Sequence, residues 1–267
     1  MQDYDWPKVL EEVVTLARAA GAAIKAVATS GDLQTQAKAD TSPVTAADLA
    51  ANEVIIKGLQ QLTPDIPIVS EESPKLAEGR EKSRVIWLVD PLDGTAAFVD
   101  NGDDYTVNIG LIVDTQPLLG AVYVPAQDMT YWGLIGEGAW RQKGSESPIA
   151  LQTKPSRKPP VVASSRRHLD PDTSALLKGL GEYIEFRSSS SIKLCYVADG
   201  QVDLYPRLGN NMEWDTAAAD AVIRAAGGQV LCPDDWQPLR YNKPDLYSLP
   251  FVAFADPALL KQLKNVS

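Results

Sequence analysis

The sequence predicts an α+β protein built of helical and sheet layers, with two subdomains at residues 1–154 and 155–267. Three observations lead there. Residues 6–28 carry apolar residues at helical spacing, whereas residues 105–142 carry short apolar runs broken by Gly and Pro turns, the pattern of a strand meander. Helical and strand patterns then mix without the strict alternation of a βαβ array. The basic, Pro-rich stretch "TKPSRKPP" at 153–160 reads as a connection between two parts. A chain of 267 residues suits one large domain or two moderate ones and can bury a core without staples.

The elements follow in order. Val9, Leu10, Val13, Leu16, Ala17, Ala20, Ile24 and Val27 fall on one face of the first helix. The polar stretch "TSGDLQTQAKADTSP" reads as a loop. A second helix is expected from near Thr45 to about Leu62, with Leu49, Val54, Ile55 and Leu59 as its apolar stripe. "IPIVSEES" reads as a short strand ending in acids, and "RVIWLVD" as a second, buried strand. After residue 160, "VVASS", "YIEFRSS" and "VDLYPR" read as strands, and "SSIKLCYVADG" and "DTAAADAVIRAAGG" as helices. The second of these helices ends in Gly-Gly, as helix C-termini often do.

Composition excludes several functions. The formal charge is −10, which argues against a broad nucleic-acid or membrane surface, since either needs a basic footprint. The acidic start "MQDYDWPKVLEEVV" lacks the regions of a signal peptide, and no apolar stretch reads as a bilayer span. The two cysteines, Cys195 and Cys232, have no metal-type or redox-type spacing and suggest a reducing compartment, the cytoplasm. An anionic substrate would therefore need positive charge supplied locally.

The stretch "WLVDPLDGT" places Asp90 and Asp93 at the end of an apolar run. A residue before Pro is extended, so Asp90 is expected at the strand end with Pro91 bending the chain. Gly94 permits a tight turn, and Thr95 is expected to cap the helix that "AAFVD" begins. Such a turn aims two carboxylates, and the Leu92 carbonyl, at one point. Taken alone these acids could be turn and capping residues. Asp215 could cap the helix in "WDTAAAD", and Thr45–Asp48 matches a capping box. Counted with Glu71 and Glu72 they form a set of acids from separate segments, each at the end of an element. Hard divalent cations take carboxylate and carbonyl oxygens, so the set suits Mg²⁺, which would supply the missing positive field.

"SEES", "WLVDPLDGT" and "EWDTAAADAVIRAAGG" together resemble the inositol monophosphatase superfamily of Mg²⁺-dependent, lithium-sensitive phosphatases, in its order and at about its separations. "KADTSPVTAADLAAN", "NGDDYTVNIGLI" and "SSSSIKLCYVADGQVDLYPRLGNNMEWDTAA" resemble the members that act on bisphosphate nucleotides. The resemblance implies an αβαβα sandwich of the inositol monophosphatase and fructose-1,6-bisphosphatase type, working as a monomer or homodimer. It implies two or three Mg²⁺ ions held by Glu71, Asp90, the Leu92 carbonyl, Asp93 and Asp215. Asp48 and Thr95 would orient and deprotonate the attacking water. Gly94 and Thr95 would bind the scissile phosphate. His168, Ser190, Lys193 and Arg207 would contact the rest of a small phosphorylated nucleotide, from which the 3'-phosphate is removed. Hydrolysis of inositol or sugar phosphates on the same scaffold, or a non-catalytic metal or nucleotide sensor, stand as alternatives.

Overall fold

The computed structural model describes residues 4–31, 33, 36–37, 43–73, 78–167 and 169–265. Helix α1 (Trp6–Ser30) opens at Asp5, whose carboxylate accepts from the Lys8 N–H, and stops at Gly31 with φ 74°. A small ladder of β1 (Gln36–Ala37) and β2 (Pro43–Val44) precedes α2 (Ala46–Leu62). The first large sheet runs in chain order through β3 (Ile68–Ser70), β4 (Val85–Asp93), β5 (Thr106–Val113), β6 (Gln116–Val124), β7 (Met129–Leu134), β8 (Gly138–Lys143) and β9 (Ile149–Leu151). Only the β3–β4 pairing is parallel; the others make the antiparallel meander that the turn pattern predicts. A short helix, α3 (Thr95–Val99), follows β4.

The second sheet comprises β10 (Val161–Ser165), β11 (Ile184–Ser188), β12 (Leu204–Arg207), β13 (Gln229–Leu231) and β14 (Phe251–Phe254), in the order β11-β10-β12-β14-β13. Its helices are α4 (Pro171–Leu180), α5 (Ile192–Ala198), α6 (Ala217–Ala225) and α7 (Ala258–Leu263). Strand alternation sorts these elements into layers. Trp87, Val89, Val107, Ile109 and Leu111 share a core with α1 and α2. Ile86, Leu88, Ile112 and Val122 face the other way, onto α5 and α6, which also cover Ala163, Tyr205, Phe251 and Ala253 of the second sheet. Val162, Leu204, Val252 and Phe254 pack against α4 and α7. The result is the αβαβα sandwich, with α5 and α6 as the shared middle layer.

Several elements differ from the sequence expectation. In α2, Leu49 is exposed, and the buried stripe is Ala47, Ala51, Ile55 and Leu59. Strand β4 does not stop at Asp90 but continues through Pro91 to Asp93. Among the described helices, α1 has the length and apolarity to cross a bilayer. Its apolar residues Val13, Ala17, Ala20 and Ile24 are instead buried against α2 and the first sheet.

The middle layer is set by a row of glycines. A Cβ on Gly120 would lie 2.2 Å from the Ala218 carbonyl oxygen, one on Gly110 2.8 Å from the Ala218 nitrogen, and one on Gly133 3.0 Å from Val222 Cα. Backbone thus meets backbone where α6 crosses β5, β6 and β7. The Ala-rich face "AAADA" completes the close approach. Because Asp215 lies just before α6, this contact also fixes where that carboxylate stands. We expect Gly120→Ala to cost at least about 3 kcal/mol, a fall in Tm of roughly 6–12 °C, because backbone rather than a flexible side chain must move. Gly133→Ala, with the looser contact, should cost less; differential scanning calorimetry of the two variants checks the order.

Candidate active site

The site begins at the end of β4. Asp90 follows Ile86 and Leu88 on the face toward the middle helices and is 1% exposed. The pairing with β5 then slips between Asp90 and Asp93, a bulge over Pro91, which has no N–H to give the ladder. The Asp90 Oδ1 accepts from the Leu92 N–H at 3.0 Å, which closes the turn. Gly94 takes φ 90°, the left-handed region that favours glycine, and the chain enters α3. Thr95 does not cap that helix as its sequence position predicts. Gly94 is the cap residue, and Thr95 is the first helical residue.

The hydroxyl of Thr95 is used elsewhere. It lies 2.9 Å from Asp48 Oδ1 and 3.1 Å from the Leu92 carbonyl oxygen. One proton serves one acceptor, and the nearer, charged one is Asp48. Asp48 is itself buried at the start of α2, where its Oδ2 accepts from both the N–H and the hydroxyl of Thr45 at 2.7 Å. The capping box expected of Thr45 and Asp48 is therefore formed, and its free oxygen still reaches Thr95. Burial raises the Asp48 pKa above the ordinary carboxylate range, opposed by its bonds to Thr45 and Thr95.

The acids converge from three segments. Glu71 follows β3, with its N–H bonded to the Val89 carbonyl. Asp215 ends a single 3₁₀ turn, Glu213–Asp215, and its Oδ2 accepts from the Met212 N–H at 3.0 Å. It does not cap α6; Thr216 is the residue at that boundary. One carboxylate oxygen each from Glu71, Asp90 and Asp215 lie within 4.8 Å of one another. Burial, then the negative charges of Glu71, Asp93, Asp215 and Asp48, push the Asp90 pKa well above the ordinary range. Asp215 is pushed up in the same way, by burial and then Asp93. Asp93 is raised by burial, against the pull of Lys193. A cluster of oxygen donors whose charges repel one another can hold a metal ion, and the donor type suits a hard cation.

Beside the acids lies a cavity of about 230 Å³, whose wall includes Asp93, Gly94, Ser190, Lys193, Arg207 and Asp215. Lys193 is buried: its Nζ donates to the Ser190 carbonyl at 2.6 Å and sits 5.2 Å from the centre of the Tyr205 ring. Burial lowers its pKa to about 8, while Asp93 opposes the fall. Arg207 donates from Nη2 to the Asn210 carbonyl, and its buried Nε has no protein partner. Ser190 stands on the cavity wall with φ 48°. His168 lies outside the described residues.

Sequence reasoning passed over several supporting residues. Ser191 donates its N–H to Asp93 Oδ2 at 2.5 Å and its hydroxyl to Asn108, and lies 2.8 Å from the Thr106 hydroxyl. Buried Asp104 accepts from the Ser188 hydroxyl and the Ser189 N–H, fixing the turn before α5. Glu213, fully buried, accepts from the N–H groups of Asn242 and Lys243 and pairs with the Lys243 ammonium. It thereby anchors the turn that carries Asp215. Each is a polar residue in a turn or at the end of an element, where no local periodicity marks it as buried.

The repulsion has a measurable consequence. A folded-state pKa above the unfolded value makes the metal-free protein lose stability as pH rises above the ordinary carboxylate range. In chelator at neutral pH, Asp90→Asn should raise the Tm by a few degrees. The same variant should lose most of the Tm rise that Mg²⁺ gives the unsubstituted protein. A lower Tm for the variant in chelator would contradict the crowding of charge.

A model of the inositol monophosphatase family matches residues 5–256. Among curated relatives, 3'(2'),5'-bisphosphate nucleotidase CysQ of Salmonella typhimurium is 45% identical over 231 residues, 86% of this chain and 91% of the relative. CysQ of Escherichia coli K12 is 44% identical over 238 residues, 88% of this chain and 94% of the relative. Among solved structures, CysQ from Bacteroides thetaiotaomicron superposes with a TM-score of 0.81 at 34% identity, over 93% of this chain and 97% of that one. With the layered fold and the acidic cluster, these matches establish that the chain belongs to the inositol monophosphatase family.

Proposed function

We propose that the protein is a Mg²⁺-dependent phosphatase that removes the 3'-phosphate of adenosine 3',5'-bisphosphate, giving AMP and inorganic phosphate. The sulfated form of this nucleotide fits the same reading. The observation that carries the proposal is the adjacency of two features: an acidic cluster with a Thr–Asp pair, and a cavity lined by Lys193 and Arg207. The relatives at 44–45% identity bear the name of this activity. Cys195 and Cys232 are both free thiols, in keeping with a cytoplasmic enzyme.

Glu71, Asp90, Asp93, Asp215 and the Leu92 carbonyl would hold the ions. When bound, Mg²⁺ supplies Lewis acidity, which lowers the pKa of a coordinated water and offsets charge on the phosphoryl group. The protein's own part is positioning and proton handling. Thr95 gives its proton to Asp48, so the lone pairs of its hydroxyl face outward and can accept from water. Asp48 is fixed by Thr45 and can take up the proton that passes through Thr95. Gly94 and Thr95 present backbone beside the cavity to the scissile phosphate. Lys193 and Arg207 meet the second phosphate and reject substrates that lack it. Ser190 and His168 complete the contacts to the nucleotide in this reading.

A substrate panel tests the assignment: adenosine 3',5'-bisphosphate should be turned over with a kcat/KM at least tenfold above that for inositol 1-phosphate, and only with divalent cation present. The reverse preference would overturn it. Thr95→Ala should cut kcat by about 10²–10⁴ with the Tm little changed, and Thr95→Ser should restore most of it. Near-normal turnover by Thr95→Ala would remove the residue from proton handling. Arg207→Ala should raise KM more for the bisphosphate than for adenosine 3'-monophosphate; an equal rise on both would place Arg207 outside recognition of the second phosphate.

A further inference from the structure

The end of β10 carries two consecutive arginines, and they go to different partners. Arg166 lies 3.2 Å from the carboxylate of buried Asp104 and so belongs to the scaffold under the Ser188–Ser189 turn. Arg167 lines the cavity together with Lys193 and Arg207. Its Nη2 donates to the Ala96 carbonyl at 2.7 Å and pairs with the Asp100 carboxylate, both on the segment that begins at Thr95.

The three cavity cations are held in different ways. Lys193 is buried, bonded to Ser190 and opposite Asp93. Arg207 is bonded to the Asn210 carbonyl through Nη2, its charge acts on Asp170, and its buried Nε has no protein partner. Arg167 is held by an exposed partner: its side chain is 42% exposed and that of Asp100 68%. Ion pairs of that kind are weak and exchange readily. A guanidinium has five N–H donors in a planar fork that matches phosphate oxygens. A phosphate monoester carries nearly twice the charge of a carboxylate near neutral pH, so at a common distance it attracts the guanidinium more strongly.

We propose that Arg167 is a specificity-determining residue, which leaves Asp100 to take the non-scissile phosphate of a bisphosphorylated nucleoside in the cavity. This rests on the function proposed above. Asp100 is then an internal competitor for the same cation. While empty of substrate, the cavity keeps the arginine parked at its rim; binding exchanges a weak carboxylate pair for a phosphate pair, and the contact to Ala96 can persist through the exchange.

The opposite view, a fixed latch between β10 and α3, makes a different prediction. If Arg167 and Asp100 form a latch, removing either partner has the same effect. If they compete as proposed, the two substitutions act in opposite directions. Arg167→Ala should raise KM for adenosine 3',5'-bisphosphate about tenfold. The rise for adenosine 3'-monophosphate, which lacks the second phosphate, should be several times smaller. Asp100→Asn should lower the bisphosphate KM about threefold. Arg167→Lys, which keeps charge but not the fork, should fall between wild type and Arg167→Ala. Shifts of the same sign in Arg167→Ala and Asp100→Asn, or equal shifts on both substrates, would overturn the assignment. If the unsubstituted protein turned over inositol 1-phosphate but not the bisphosphate, the function proposed above would fail first and this inference with it. That case is distinguishable because no variant is needed to see it.

Discussion

Negative charge gathered in a buried place is the constraint on which the rest of this molecule depends. Asp90 stands inside the sandwich with Glu71 and Asp215 near enough for one oxygen of each to share a ligand. Burial and mutual repulsion both oppose that arrangement, so the fold must impose it. It does so with rigid elements: Asp90 and Asp93 on either side of a bulge in β4, Glu71 directly after its parallel neighbour β3, and Asp215 just before α6, which is pressed into glycines. A bound cation turns the same repulsion into affinity, and sites of this kind lose stability when the ion is withdrawn.

The supporting shell follows from the same need. Asp48 is locked by Thr45 so that its other oxygen reaches Thr95. Asp93 is met by the Ser191 N–H, which ties it to the helix bearing Lys193. Glu213 is clamped to residues 242 and 243, and Arg80 holds the same loop through Asn242, Lys243 and Pro244. Asp220 takes Arg224 and the Tyr241 hydroxyl, which keeps α6 in register over the glycines. Chemistry and scaffold therefore share residues, and a substitution well away from the acids can reach them through α5 or α6.

Much of this was legible in the sequence. The helix at residues 6–30, the meander and the two helices around Lys193 and Asp215 all announce themselves by apolar period and by Gly signals. The DPLDGT turn and the WDTAA helix start carry their acids openly. What was not legible had physical reasons. The C-terminal strands β13 and β14 and helix α7 are only three to six residues long, too short for their apolar runs to show a period. Leu49 looks like a core residue because it is apolar at helical spacing, yet the buried face of the first turns carries the small Ala47 and Ala51 instead. Thr95 reads as a helix cap from its neighbours, but Asp48, 47 positions earlier, claims its hydroxyl. Tertiary partners of that separation leave no local trace.

In this reading Glu71, Asp90 and Asp215 share a divalent ion. Anomalous diffraction from crystals grown with Mn²⁺ addresses it most directly. A strong anomalous peak is expected in contact with all three carboxylates, absent from Asp90→Asn crystals grown alongside. No peak at that position, with Mn²⁺ bound elsewhere or not at all while the enzyme remains active, would contradict it.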